Sequence, residues 1–376
     1  MRSASIRTNL PPTEEDVQAA VAVLQSGVLS GPNHPEVNRF ESLLAALWGT
    51  EQAVAVNSGT AAIHCILHSM DIGPGDEVIV PAHTFIASAT PVLMTGATPV
   101  VVDVCDTTYC IDPAAVAAQV SDRTRAIVAV HINGHPAPVD QLPADIPIVS
   151  DACQAHGAKL NGTSVAALGV ASAFSFWQDK LITTGGEGGA VLTDDDAIAA
   201  NTRLMRSHFQ EQIAGTPNSH HTSLGVNYRL TGAQAAMGHS QLGRLPELLE
   251  TRRRHAARLT ELLADAPGIT PPVVRAGAEH VFWKFVVALD PDRFRVDVRG
   301  FIRALAAEGV PTVPRYPVSL TRQPVLLEKA RITPCPTAES LSDRLLTLPL
   351  PAADEDAADL DDIAEATLKV AVALHR

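Results

Sequence analysis

Between residues 53 and 150 the chain repeats one pattern, in which short valine-containing runs alternate with segments of helical spacing. After residues 53–56, for example, apolar side chains recur on one face of a helix over residues 63–70. The other strand-like runs lie at residues 77–80, 98–102, 126–130 and 147–150. Alternating strands and helices imply a parallel sheet, because each helix carries the chain back to the start of the next strand. We therefore predict an α/β fold with a mostly parallel central sheet.

The length of the chain predicts two domains of unequal size. At 376 residues it is longer than one hydrophobic core usually organises. Near residue 246 the sequence pattern changes. A basic helical stretch begins there, and a strand is predicted at residues 280–289. We place a large domain at residues 1–245 and a smaller C-terminal α/β domain at residues 246–376, with a cleft between them.

Composition argues against several functions. The net charge of -13 opposes binding to nucleic acid, whose affinity for proteins comes mainly from lysine and arginine. The N-terminus shows no signal-peptide pattern, and no run of about 18 apolar residues occurs, so we expect a cytoplasmic protein that does not cross a membrane. The five cysteines include no CxxC pair, and His220 and His221 have no partner at motif spacing. Neither a disulfide framework nor a metal site is predicted.

The stretch from residue 171 to residue 190 contains a candidate nucleophile, Lys180. Several aromatic residues directly precede it in the sequence. A glycine cluster at residues 185–189 follows it, which predicts a turn between two ordered elements. A lysine whose pKa is lowered by burial can form a Schiff base with a carbonyl group. Most lysines are solvated surface charges, so this context alone leaves a structural role open.

Two further positions have both a structural and a functional interpretation. Asp151 follows the predicted strand at residues 147–150, at the end of the sheet where open α/β folds bind ligands. It can cap a turn, or it can pair with a buried cationic ring nitrogen. Ser58 begins a predicted helix, where it can serve as an ordinary N-cap or as part of a phosphate site.

An imine-forming lysine, a carboxylate at a strand end and a hydroxyl-rich helix start are the parts that a pyridoxal 5'-phosphate site needs. In their order and spacing the chain resembles the DegT/DnrJ/EryC1/StrS family of sugar and cyclitol aminotransferases. The resemblance extends over nearly the whole chain and implies the three-layer α/β fold type I of pyridoxal-phosphate transferases. It is carried by Asn57-Ser58-Gly59-Thr60, Pro81-Ala82-His83-Thr84-Phe85, residues 151–157, residues 175–189 and Asn227-Tyr228-Arg229-Leu230.

Residue by residue, the resemblance implies a cofactor site. Lys180 would bind pyridoxal phosphate as an imine, Asp151 would pair with the ring nitrogen, and Gln154 would lie near the ring hydroxyl. Phe85 would stack on the ring. The residues implied at the phosphate are Ser58, Gly59, Thr60 and Ser175, together with Asn227 of the neighbouring subunit. The resemblance therefore also implies a homodimer with shared active sites.

The resemblance further implies a small-molecule amino donor, glutamate or glutamine, and a keto-sugar or keto-cyclitol acceptor in amino-sugar or secondary-metabolite biosynthesis. The candidate substrate residues are His83, Asn133, His156, Tyr228, Arg229, Arg315 and Tyr316. A polar loop at residues 209–226 is predicted to act as a lid. The family often has tyrosine at the position of Asn133, and the residue type at the position of His83 varies within the family. The identity of the substrate is therefore left open. The alternative to a substrate contact for His156 is a structural role in the core.

Two other functions are compatible with the sequence. An enzyme resembling aminohydroxybenzoate synthase would use the same lysine to aminate and aromatise a cyclic ketone. A non-catalytic regulator could bind a ligand on the same fold, but the retention of Lys180, Asp151 and the phosphate residues favours an enzyme. One branch of the family dehydrates its substrate and has histidine in place of the lysine, so Lys180 argues against dehydration.

Overall fold

The structure is a computed structural model that describes residues 8–376, with the side chain of Glu355 left out; residues 1–7 of the predicted large domain lie outside the described residues. The α-helices are α1 (Glu14–Ser26), α2 (Pro35–Trp48), α3 (Gly59–Ser69), α4 (Thr90–Met94), α5 (Pro113–Ala117), α6 (Asp196–Met205), α7 (Gly232–Leu242), α8 (Leu245–Leu262), α9 (Val298–Ala307), α10 (Pro324–Lys329), α11 (Pro336–Arg344) and α12 (Asp359–Leu374). The strands are β1 (Gln52–Val56), β2 (Glu77–Pro81), β3 (Thr98–Val102), β4 (Thr124–Val130), β5 (Ile148–Asp151), β6 (Lys159–Leu160), β7 (Thr163–Ser164), β8 (Ala171–Ser175), β9 (Gly189–Thr193), β10 (Gln210–Gln212), β11 (Ser219–His221), β12 (Ile269–Thr270), β13 (Ala278–Glu279), β14 (Phe285–Leu289), β15 (Val313–Pro314), β16 (Arg331–Ile332) and β17 (Leu345–Leu348).

The largest sheet has the strand order β1-β9-β8-β5-β4-β2-β3-β16. Its neighbouring strands run parallel except at β9, which is antiparallel to both β1 and β8. Every residue of β2 and of β9 is buried, as expected for strands covered by helices on both faces. The prediction of a mostly parallel central sheet is confirmed.

Helices cover this sheet on two sides, and β1 shows how the sequence specifies both layers. Val54 and Val56 belong to the core that contains α3, whereas Ala53 and Ala55 belong to the core that contains α2. Successive side chains of a strand point to opposite faces, so one strand contributes to both cores. The three-layer α/β fold is confirmed.

A smaller antiparallel sheet in the C-terminal part has the order β12-β14-β17-β15 and shares a core with α8, α9 and α12. The C-terminal part also adds a strand to the large sheet, because β16 pairs in parallel with β3. In a separate small sheet, β13 pairs with β6 from the N-terminal part. The division at residue 246 therefore stays a prediction. No helix within residues 8–376 is both long and apolar enough to cross a membrane.

Two predicted segments differ from the structure. The strand predicted at residues 280–289 begins only at Phe285, and Phe282 before it has a φ of 48°, which breaks the extended conformation. The polar loop predicted at residues 209–226 contains a hairpin, because β10 and β11 pair with each other. All residues of both hairpin strands are exposed. Their sequence therefore lacks the alternation of apolar and polar residues by which most strands are recognised.

Candidate active site

The predicted site residues lie where parallel strands end. Asp151 is the last residue of β5, Ser175 is the last residue of β8, and His83 follows β2 by two positions. Strands β8, β5, β4 and β2 are successive neighbours in the sheet, so these carboxyl ends lie side by side. Ligands of open α/β folds bind at this end of the sheet. The start of α3 lies there as well, because Gly59 packs against Ser175.

Lys180 lies in the loop that connects β8 to β9. The loop folds back on itself, because Gln178 N donates to Gly186 O at 2.9 Å and Lys180 N donates to Trp177 O at 2.8 Å. Gly185 and Gly186 have φ values of 79° and 134°, which residues with a side chain rarely adopt. The glycine cluster therefore forms the predicted turn, and it returns the chain to the sheet.

The amine of Lys180 lies over the indole of Trp283, with Nζ 3.9 Å from the ring centroid. Burial lowers the pKa of this lysine to about 8, and the nearby charge of Arg315 contributes to the lowering. The carboxylate of Asp151 opposes the shift. Near neutral pH a useful fraction of the amine is therefore unprotonated and able to act as a nucleophile or a base.

The carboxylate of Asp151 is buried, with 4% of the residue exposed. Its Oδ2 accepts a hydrogen bond from Ser88 Oγ at 2.7 Å, and its Oδ1 accepts one from Cys153 N at 3.2 Å. Ser88 Oγ is in turn 3.0 Å from Thr84 Oγ1. These contacts fix the carboxylate at the strand end, where it can stabilise a cation placed beside it.

Four predicted residues meet in one hydrogen-bond network beside the lysine. Gln154 Oε1 accepts from Asn133 N at 2.8 Å and from Arg315 Nη2 at 2.9 Å. Gln154 Nε2 donates to Tyr316 Oη at 3.0 Å, and Arg315 Nε donates to Asn133 Oδ1 at 2.7 Å. Asn133 has a φ of 57°, a conformation that asparagine tolerates better than most residues. We call Asn133, Gln154, Arg315 and Tyr316 the amide–guanidinium network.

His83 lies against the network, edge-on to Tyr316 with ring centroids 5.3 Å apart. Burial lowers the pKa of His83 to about 3, so its imidazole is neutral. Within residues 8–376 neither ring nitrogen has a hydrogen-bond partner. A buried polar group without a partner is costly, and a bound polar ligand would relieve that cost.

Three of the predicted substrate residues lie apart from the network. His156 is fully buried among aromatic rings, and its Nε2 is 2.9 Å from Ser175 O, which is the geometry of a core residue. Tyr228 Oη lies 3.1 Å from Nδ1 of His64 in α3. The guanidinium of Arg229 makes no hydrogen bond within the described part of the chain.

Two predicted cofactor residues lie at the surface. Phe85, which follows β2, is 58% exposed. Asn227 is exposed beyond the β10–β11 hairpin, and its carbonyl oxygen accepts a hydrogen bond from Asn57 Nδ2 at 3.4 Å. Both side chains are accessible to a bound group or to a second subunit.

The sequence interpretation misses Trp283, Lys284 and Ser88. The first two lie in the segment assigned to a strand, and Lys284 Nζ is 3.7 Å from Asp179 Oδ2 in the lysine loop. A lysine inside the otherwise apolar run at residues 281–287 is the signal that could have identified this pair. No local pattern indicates that Ser88 contacts Asp151, because the two residues are 63 positions apart.

Comparisons with known proteins identify the family of this chain. The model of the DegT/DnrJ/EryC1/StrS aminotransferase family matches residues 12–367. The chain is 39% identical over 344 residues to the dTDP-3-amino-3,4,6-trideoxy-alpha-D-glucose transaminase of Streptomyces venezuelae, and the alignment covers 89% of this chain and 87% of that protein. It is 35% identical to the L-glutamine:2-deoxy-scyllo-inosose aminotransferase of Streptomyces paromomycinus, in an alignment that covers 96% of this chain and 92% of that protein.

The fold is also similar to that of a solved structure. The crystal structure of a 3-amino-5-hydroxybenzoic acid synthase superposes with a TM-score of 0.89 and 30% identity, over 98% of this chain and 99% of that one. The family match covers nearly the whole chain and includes the strands that carry Asp151 and Ser175 as well as the loop of Lys180. The protein is therefore an aminotransferase of the DegT/DnrJ/EryC1/StrS family.

Proposed function

We propose that this aminotransferase binds pyridoxal 5'-phosphate at Lys180, takes an amino group from glutamate or glutamine, and transfers it to a ketone on a sugar or cyclitol ring. The observation that carries the proposal is the meeting of three groups at one end of the sheet. These groups are the Lys180 amine, the Asp151 carboxylate and the start of α3. They match the aldehyde, the ring nitrogen and the phosphate of that cofactor.

The start of α3 fits a phosphate. Ser58 caps the helix by accepting a backbone N–H at 3.1 Å, and the N–H groups of Gly59 and Thr60 have no partner within the described residues. A Cβ at Gly59 would lie 2.5 Å from Cys153 Sγ and 2.9 Å from Ser175 Cβ, so a side chain there would clash. Glycine thus brings free N–H groups and the positive end of the helix dipole next to the Ser175 hydroxyl, which favours an anion.

When bound, pyridoxal phosphate supplies a carbon that accepts the amino group and a ring that withdraws electrons from the adjacent C–H bond. Lys180 would hold the group at Nζ and, once released, would move a proton at that atom, for which a pKa of about 8 is suitable. Asp151, oriented by Ser88, would keep a proton on the ring nitrogen. Gln154 and Phe85 would contact the ring.

The relatives' names support the substrate class, because one acts on a nucleotide-linked sugar and another on a cyclitol ketone. The site offers groups suited to hydroxyls, namely the neutral imidazole of His83 and the amide–guanidinium network. Arg315 can also donate to a carboxylate or a diphosphate through Nη1, because its Nε and Nη2 donate to the network and Nη1 makes no hydrogen bond within the described residues. Arg229 is a second candidate for that contact.

The experiment that tests this function starts from the enzyme in its pyridoxamine form. We expect a nucleotide-linked keto-sugar or a keto-cyclitol to restore the imine absorbance when each is added in turn. Binding of a nucleotide-linked substrate should weaken several-fold as salt rises, because ions screen its diphosphate from the arginines, whereas a neutral cyclitol should respond little. A response confined to simple α-keto acids would contradict the proposed substrate class.

We infer that the enzyme is a homodimer in which Asn227 of one subunit serves the phosphate site of the other. The exposed position of Asn227 supports this, as does Leu224 beside it, a large apolar side chain that is 91% exposed. An apolar side chain this exposed is more favourable when a second subunit covers it.

Mixing two inactive variants tests the shared site. Lys180→Ala protomers combined with Asn227→Ala protomers should recover about a quarter of the wild-type activity, because half of the randomly formed dimers would contain one intact composite site. The matched control combines Lys180→Ala with Asp151→Asn; both residues belong to the same subunit's site, so no recovery is expected. Full activity in a protein that sediments as a monomer would disprove the shared site.

Amination with aromatisation of a cyclic ketone is the second candidate, favoured by the superposition on 3-amino-5-hydroxybenzoic acid synthase. A cyclic ketone able to lose water would then yield an aromatic product, visible as a new ultraviolet absorbance. Supplying such a ketone beside the keto-sugars and keto-cyclitols separates the two functions.

A further inference from the structure

Three positive charges surround one buried indole. Relative to the ring centroid of Trp283, Nζ of Lys180 lies at 3.9 Å, Nζ of Lys284 at 5.0 Å and Cζ of Arg315 at 5.0 Å. Trp283 is only 6% exposed, so water competes little for these contacts. The face of an indole attracts cations, and the attraction is stronger where the cation is desolvated.

The amine of Lys180 depends on the Trp283 ring more than the charged groups of Arg315 and Lys284 do. Arg315 is held by the amide–guanidinium network, and Lys284 Nζ lies 3.7 Å from the carboxylate of Asp179. Within the described residues, by contrast, Lys180 Nζ makes neither a hydrogen bond nor an ion pair. The indole face is therefore the contact that the described residues offer to the Lys180 amine.

The position of the ring is itself fixed from several sides. Trp283 Nε1 donates to the carbonyl oxygen of Asp179 at 2.6 Å, which ties the ring to the residue next to Lys180. The buried guanidinium of Arg252 in α8 donates to Trp283 O at 3.1 Å and to Phe282 O at 2.6 Å. These bonds hold the irregular segment before β14 in a conformation that presents the indole face to the lysine loop.

Other charged groups around the amine do not hold it in one place. Burial and the charges of Arg315 and Lys284 lower the pKa of Lys180, whereas the carboxylate of Asp151 at the end of β5 raises it. The nearby Cys153 is a neutral thiol, because burial raises its pKa well above the usual value. His156 is neutral, since burial lowers its pKa to about 3. Asp151 attracts the cationic amine and Arg315 and Lys284 repel it, and none of the three makes a hydrogen bond or an ion pair with it within the described residues.

We propose that Trp283 is a positioning residue for the covalent step, in which its indole face holds the Lys180 amine in one place while that amine is not bonded to the cofactor. In that step the neutral lysine nitrogen bonds to the aldehyde carbon, and the aldehyde oxygen leaves as water with both amine protons. The inference rests on the proposed function, because it assumes that an aldehyde cofactor binds at Lys180.

The test uses the full-length protein stripped of cofactor. Added pyridoxal 5'-phosphate gives the rate of imine formation from the absorbance, and 4'-deoxypyridoxine 5'-phosphate, which lacks the aldehyde, gives the affinity of the non-covalent site. At a pH above the Lys180 pKa of about 8, where the amine is mostly neutral, Trp283→Leu should slow imine formation about two- to fivefold, in line with the strength of an N–H···π contact from a neutral amine to the indole. Trp283→Phe, which keeps a weaker aromatic face, should slow it less. The affinity for the deoxy analogue should be unchanged in both.

Trp177→Leu is the matched control, because Trp177 lies in the same loop but its side chain is 37% exposed. Its imine formation should proceed at the wild-type rate. An unaltered rate in Trp283→Leu would overturn the positioning role. A loss of analogue affinity in both Trp283 variants would also overturn it, because the residue would then only support the site's structure. Absence of any imine in the unmodified protein would instead refute the proposed cofactor, and with it this inference.

Discussion

Replacing Lys180 with alanine is expected to reduce amino transfer by about four orders of magnitude, because one side chain supplies both the nucleophile and the proton carrier. The protein should remain folded, since the Lys180 side chain makes neither a hydrogen bond nor an ion pair within the described residues. Pyridoxal phosphate should still bind at the start of α3, but borohydride should trap no adduct.

The measurement is the absorbance of the purified protein before and after borohydride, followed by peptide mapping of the reduced adduct. Lys284→Ala is the matched control, because its amine lies beside the same indole as that of Lys180. In this control the adduct should still map to Lys180. Recovery of the reduced cofactor on another lysine would show that the assignment is wrong.

The second large effect is expected from Asp151→Asn, which keeps the shape of the side chain and removes its charge. The cofactor should remain bound through its phosphate, but amino transfer should fall by about two to four orders of magnitude, because one partner of a buried charge pair is lost. Single-turnover absorbance changes with the amino donor measure this loss directly.

Ser88→Ala is a milder change at the same carboxylate, to be compared with Asp151→Asn. It removes the hydroxyl that donates to Asp151 at 2.7 Å and leaves the charge in place. Amino transfer in Ser88→Ala should fall by only about tenfold, in keeping with the loss of one hydrogen bond to a charged group. Turnover close to wild type in Asp151→Asn would contradict the role of the carboxylate.

Most of the central sheet could be predicted because local patterns determine it. Strand β3 occupies residues 98–102 as predicted, and α3 begins after Ser58, whose side chain caps it. The start of β14 could not be predicted in this way. Arg252, on a distant helix, holds the carbonyl oxygens of Phe282 and Trp283, so an apolar run that looks extended in sequence is bent in the structure.

The structure brings several of the proposed site residues together, but the contacts between them could not be predicted from the sequence. Asn133 and Arg315 were both candidates, yet their hydrogen bond joins positions 182 residues apart, and no local pattern encodes it. Tyr228 is adjacent in sequence to Asn227, but its hydroxyl contacts His64 rather than the network. The indole of Trp283 was missed for the same reason, because its function depends on a fold that brings it to the lysine loop.

The pairing of β16 with β3 has a consequence for how the chain is made. Arg331 of β16 pairs with Val100 of β3 and forms an ion pair with Glu77 of β2 at 3.0 Å. During synthesis β3 emerges long before β16, and at about 5–20 residues per second its outer edge stays uncovered for on the order of 10–50 s. An open edge of a valine-rich strand can pair with other chains. The two residues of β16 thus cover this edge of β3 only late in synthesis.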